Sequence, residues 1–197
     1  MGLTMGKIYE NPWQTHSSEI KYDNPWIRVQ EHQVTNPAGK PGIYGTVSFK
    51  NYAVGVIPLD SAGFTWLVGQ YRYTLGCYSW EIPEGGCPLN ETPLDAAKRE
   101  LSEETGLIAK HYEQILFMHL SNSVSDEEAY VFLAADIQEG IAHPEETEQL
   151  QLKKLPFSEA YQMVLNGEIT DSLSVAGILK VQMLLLKGDK NNWLNFR

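Results

Sequence analysis

Across residues 26–34, WIRVQEHQV, Ile27 and Val29 alternate with Arg28 and Gln30, the period-two pattern of a strand with one face buried and one in water. The breaker cluster TNPAGKPG ends it, and IYGTVSFKN returns as a second strand. From residue 53 the run AVGVIPLD is almost continuously apolar. With the turn DSAG and the run FTWLVGQYR it predicts a hairpin of buried strands, so the main core is expected to start near residue 50. Further on, EQILFMHLS and EAYVFLAADI predict two more strands around the polar loop NSVSDE, followed by a charged stretch from HPEETE to QLKKL. PFSEAYQMVLNG and DSLSVAGILKVQMLLLKG then carry helical patterns, each ending at glycine. Strands mixed with helices, without strict alternation, predict an α+β fold built as a mixed-sheet sandwich. The chain has no internal repeat and no low-complexity tract.

One more helix is written into EIPEGGCPLNETPLDAAKRELSEETGL, residues 81–107. Thr92 is the expected N-cap, Pro93 the first helical residue and Asp95 the acceptor three positions after the cap, with Gly106 as the stop. Leu94, Ala97 and Leu101 form the stripe expected to face a core. Glu100, Glu103 and Glu104 share a face, where like charges destabilise a helix. Arg99 can pair with Glu103, but one guanidinium cannot neutralise three carboxylates. A solvated acidic face is one reading. The other is a hard divalent cation, which takes oxygen ligands and suits glutamates without histidine or cysteine.

Composition narrows the rest. With 197 residues, 43% hydrophobic and 11% aromatic, the chain can bury one core and carry a small extension. A net charge of -10 excludes a footprint for the nucleic-acid backbone. The opening MGLTMGKIYENPW has no apolar run of signal-peptide length, and ILKVQMLLLK is interrupted by Lys180 and Gln182, so a soluble cytoplasmic protein without membrane partners is expected. Cys77 and Cys87 lack metal or redox spacing, and His16, His32, His111, His119 and His143 lack any ligand pattern.

Gly85, Glu91, Arg99, Glu100, Leu101, Glu103, Glu104, Gly106 and Leu107 fit the pattern G-x5-E-x7-R-E-U-x-E-E-x-G-U without a gap, U being a bulky aliphatic residue. This resembles the Nudix box, and a chance match has a probability on the order of 10⁻⁸. The strand order resembles the Nudix α/β/α sandwich over about residues 50–197. The resemblance implies magnesium- or manganese-dependent hydrolysis of a nucleoside diphosphate linked to another group. Glu100, Glu103 and Glu104 are implied as metal ligands, with the Gly85 carbonyl a further one; Arg99 joins the catalytic set by orienting these carboxylates, and Glu91 supports it.

LVGQYRY followed by SWEIPEGG looks like the strand pair before the box in hydrolases of ADP-ribose and other nucleotide sugars. There Arg72 would meet the diphosphate, or Glu81 in a structural pairing. SNSVSDEEAYVFLA resembles the subgroup's mobile SPGxSDE loop, which implies Glu127 as general base, with Glu128 and Glu100 as the other candidates. Asn122 and Ser123 stand where ADP-ribose hydrolases usually carry a proline. Residues 1–50 resemble the subgroup's N-terminal β extension, implying a homodimer with substrate contacts, and residues 51–197 the hydrolase domain; Trp13, Trp26 and Tyr44 are candidate dimer contacts. The expected substrate is ADP-ribose, then GDP-mannose or another nucleotide sugar. A non-cutting nucleotide-sugar sensor and a hydrolase of damaged nucleoside triphosphates are the alternatives.

Overall fold

The computed structural model describes residues 10–140 and 149–187; HPEETE, His143 and the expected helix stop at Gly188 lie outside them. The chain divides into two units, residues 1–50 with 121–126, and residues 51–120 with 127–197.

The first unit is an antiparallel sheet of β1 (Gln14–Asp23), β2 (Ile27–Thr35) and β3 (Pro41–Phe49), in the order β1-β2-β3. Its turns are made by asparagine side chains. Asn24 Oδ1 accepts the N–H groups of Trp26 and Ile27 at 2.9 and 2.7 Å, and Asn36 Oδ1 those of Ala38 and Lys40, both at 3.0 Å. The hydrophobic pattern does not reveal β1, because all ten of its residues are exposed and QTHSSEIKYD needs no apolar face.

The second unit holds two sheets. In one, β4 (Asn51–Pro58) lies between β7 (Glu84–Pro88), antiparallel, and β9 (Glu128–Glu139), parallel, with β8 (Leu107–His119) antiparallel to β9. In the other, β5 (Phe64–Arg72) runs between β6 (Cys77–Glu81) and β10 (Gln151–Pro156). Three helices complete the unit: α1 (Pro93–Thr105), α2 (Phe157–Leu165) and α3 (Ser172–Lys187). Ile57, Val131 and Leu133 pack with Met163 of α2 and Ile178 of α3, whereas Val56 and Phe132 pack with Ala97 and Leu101 of α1. Alternate residues of β4 and β9 thus enter different cores. A sheet covered on both faces reads as a continuous apolar run, which is why AVGVIPLD lacks alternation. The mixed-sheet α+β expectation holds.

Three local expectations change. The β4–β5 hairpin is a single bridge, Leu59 to Thr65, around a turn closed by the Asp60 N–H to the Phe64 carbonyl at 3.0 Å; the strands then enter different sheets. QLKKL belongs to a strand, β10, whose Lys153 and Lys154 sit 4.0 and 4.3 Å from the ring centres of Trp80 and Trp66, so charged side chains pack by cation–π contact. In α1 the expected caps form: Thr92 Oγ1 accepts the Asp95 N–H at 3.2 Å, and Gly106, at φ 71°, donates to the Ser102 carbonyl. Leu94 is exposed, however, and the buried face is Ala96, Ala97, Leu101, Glu104 and Thr105. Among the described residues no helix is long and apolar enough to cross a membrane.

Gly177 sets how closely α3 approaches the β4–β9 pair, since a Cβ there would stand 2.9 Å from Ile57 Cδ1 and 3.1 Å from Val131 Cγ1. Gly177→Val is expected to destabilise the fold by about 1–3 kcal/mol through overpacking, read as a lowered urea midpoint with an unchanged slope.

Candidate functional site

Arg99 joins the acidic helix to the strand before it. Its Nε and Nη2 hold Glu91 at 3.2 and 2.9 Å, Nη2 also donates to the Gly86 carbonyl at 2.8 Å, and Nη1 donates to Glu100 at 2.7 Å and Glu103 at 3.0 Å. The bonds to Glu91 foremost, with Glu100 and Glu103 behind them, raise the guanidinium pKa above its ordinary value despite partial burial. One cation is therefore divided among three carboxylates.

The other acids meet the same strand. The Glu100 carboxylate lies directly against Gly85, in the space a Cβ there would take. Glu104, only 5% exposed, accepts the Glu84 N–H through Oε2 at 2.9 Å. Gly85, Glu91, Arg99, Glu100, Glu103 and Glu104 are thus gathered at strand β7.

A second arginine reaches this strand from β5. Arg72 Nε donates to both oxygens of buried Glu81 at 2.9 and 3.0 Å, and Nη2 donates to Glu84 at 2.8 Å. Burial is the largest single influence and works against its charge, but the bonds to Glu81 and the charges of Glu81, Glu84 and Asp171 together outweigh it and raise its pKa. The expected pairing with Glu81 is present, and Glu84 is a second partner of Arg72.

Glu84 and Asp171 were missed by the sequence reading. One carboxylate oxygen of each, with one of Glu81, lies within 4.8 Å of the others, close enough to hold a metal ion. Glu84 Oε2 is buried with no hydrogen-bond partner among the described residues. Burial first, then the neighbouring Asp171 and Glu81 charges, push the Glu84 carboxyl well above its usual range. Asp171 is held by capping α3, its Oδ2 accepting the Ser174 N–H at 2.8 Å, while the buried Ser174 hydroxyl accepts the Ile82 N–H at 2.9 Å. Glu84 could have been suspected from its place beside Gly85. Asp171 stands just before α3, far along the chain, and nothing local signals its place beside Glu84.

Glu127 is half-buried just before β9, and its carbonyl accepts the Leu120 N–H at 3.2 Å. Glu128 opens β9, and its Oε2 accepts the Tyr130 hydroxyl at 3.1 Å.

Residues 50–172 match the model of the NUDIX domain, and residues 13–47 that of the nucleoside diphosphate sugar hydrolase N-terminal domain. The chain belongs to the Nudix family. This Nudix hydrolase is 33% identical over 177 residues to an ADP-ribose pyrophosphatase of Mycobacterium tuberculosis, covering 87% of this chain and 84% of that one. It is 31% identical to an ADP-ribose pyrophosphatase of Bacillus subtilis, covering 86% and 92%. A solved structure titled as an ADP compounds hydrolase superposes with a TM-score of 0.81 at 18% identity, over 93% of this chain and 98% of that one, which shows the shared fold. The Nudix box is thus the segment that Arg99 fastens to β7.

Proposed function

We propose that this Nudix hydrolase cuts the diphosphate bridge of a nucleoside diphosphate sugar, ADP-ribose first and then GDP-mannose or another nucleotide sugar, giving a nucleoside monophosphate and a sugar phosphate. The observation that carries the reading is the set of box acids gathered at β7, with Glu91, Glu100 and Glu103 held by one guanidinium and Glu104 by the Glu84 N–H, in a chain two of whose relatives are named as ADP-ribose pyrophosphatases.

The donor set suits magnesium or manganese. Every side-chain donor is a carboxylate oxygen, the arginines leave the acids short of positive charge, and Glu84 Oε2, in the same cluster of acids as Glu81 and Asp171, has no hydrogen-bond partner among the described residues. Glu100, Glu103 and Glu104, with the Gly85 carbonyl, would hold the ion. When bound, such an ion neutralises diphosphate oxygens and acidifies a water ligand. The protein's own part is to hold those carboxylates: Arg99 orients Glu100 and Glu103, Glu91 anchors Arg99, and the Glu84 N–H orients Glu104. Arg72, fixed by Glu81, is the cationic side chain offered to the diphosphate. Glu127 is the general base, since carboxylates committed to a metal accept protons poorly.

The extension is proposed to pair with a second copy of the chain. The support is an exposed apolar surface on the first unit, with Ile20 51%, Tyr22 54%, Trp26 66% and Ile43 66% exposed. Tyr44 is a weaker contact candidate, because its hydroxyl is spent on the Ser123 carbonyl and its ring on Trp13. The cytoplasm is the proposed location, in keeping with two free cysteines.

A panel of nucleotide sugars assayed for phosphatase-coupled phosphate release should give the highest turnover with ADP-ribose plus magnesium. Glu104→Gln should lower kcat by at least about 10²-fold while the protein stays folded. Turnover independent of magnesium, or undiminished in Glu104→Gln, would remove the metal assignment.

Glu127→Gln should lower kcat by about 10²-fold with metal affinity little changed, and Glu128→Gln should do much less. A dead Glu128→Gln beside an active Glu127→Gln would move the base by one residue; two active variants would make Glu100 the base. Light scattering of the full chain should give twice the monomer mass, and an active monomer would refute the paired extension.

A further inference from the structure

Strand β3 is an edge strand, and the backbone groups of alternate residues along such an edge are left without a partner strand. Val47 and Phe49, two apart, turn theirs to the same side. The segment Ser121–Asp126 occupies that side. The Val47 N–H donates to the Val124 carbonyl at 2.8 Å, and the Asp126 N–H donates back to the Val47 carbonyl at 3.3 Å. The Phe49 N–H donates to Asp126 Oδ1 at 2.9 Å, and the Tyr44 hydroxyl donates to the Ser123 carbonyl at 2.6 Å. Val47 and Ser125 form a parallel bridge. The segment is also wound on itself: the Ser121 carbonyl accepts the N–H groups of Val124 and Ser125 at 3.0 and 2.8 Å. It is a turn docked along a strand edge.

Asp126 is the last residue of this clasp and the residue before Glu127. Its N–H and its carboxylate are both fastened to β3, which fixes the backbone entering Glu127 from one side. From the other side the Glu127 carbonyl is fixed by the Leu120 N–H. The side chain of Glu127 therefore starts from a backbone with little freedom.

We infer that Asp126 and Tyr44 are positioning residues for Glu127, acting through the backbone of the clasp that leads into it. This rests on the reading of Glu127 as the base. Neither residue need touch substrate. A carboxylate displaced by a fraction of an ångström loses catalytic efficiency while substrate binding is preserved, so the effect falls on kcat.

The test is steady-state hydrolysis of ADP-ribose with magnesium by the full chain, together with amide hydrogen exchange at Val47 and Phe49. Asp126→Ala should lower kcat about tenfold and leave KM within about twofold, while Asp126→Asn, which keeps the Oδ1 acceptor, should recover most of the loss. Tyr44→Phe, the milder change should Asp126→Ala fold poorly, should lower kcat about threefold. Because both act through Glu127, Asp126→Ala should add nothing to Glu127→Gln. The Phe49 amide should exchange faster in Asp126→Ala and as in wild type in Asp126→Asn. Wild-type kcat in both Asp126→Ala and Tyr44→Phe beside a crippled Glu127→Gln overturns the clasp alone, and so does a double variant slower by the full product of the two effects. An undiminished kcat in Glu127→Gln overturns the base reading and the positioning role with it.

Discussion

The arrangement depends on one guanidinium shared by three carboxylates. Glu100 and Glu103 sit on one helix face, where they repel one another and weaken the helix that carries them. Arg99 offsets that repulsion and, through Glu91 and the Gly86 carbonyl, converts it into an attachment between α1 and β7. A lysine could not do this, because a point charge lacks the planar fork that serves four acceptors together. Gly85 is the matching constraint: the Glu100 carboxylate occupies the space of its missing Cβ.

From that attachment the rest of the acidic site follows. Once β7 is held against α1, the Glu84 N–H meets Glu104 on one side, and the Glu84 carboxyl meets Arg72 on the other. Residue 84 therefore joins the acids of the helix to those gathered by β5, β6 and the start of α3. Buried Ser174 fixes that last corner by accepting the Ile82 N–H, which brings Asp171 beside Glu81 and Glu84. Acids drawn this close, with two arginines among them, make a site suited to divalent cations and their anionic ligands.

How much of this could be read in the chain depended on whether the cause was local. The caps of α1 were legible because Thr92, Pro93, Asp95 and Gly106 act within a few residues of the helix ends. The strands β4 and β9 were legible because both their faces are buried. Strand β1, exposed along its length, gave no pattern, and β10 was hidden by lysines whose aromatic partners lie in other strands. Leu94 fits the apolar spacing of α1, yet it lies in the first turn and is 37% exposed, while the small Ala96 allows close approach. The glutamates of the box were found from their spacing. Asp171 was not, since only the packing of α3 brings it to Glu84.

Glu100 and Glu103, held by Arg99, and Glu104, held by the Glu84 N–H, are the proposed divalent-cation site. The most direct measurement is a titration with Mn²⁺ followed by electron paramagnetic resonance, comparing the wild-type chain with a Glu100→Gln/Glu104→Gln double variant that remains folded by circular dichroism. Mn²⁺ should bind the wild type saturably and be displaced by magnesium, and the double variant should lose that binding. Equal binding by the two proteins would contradict the assignment.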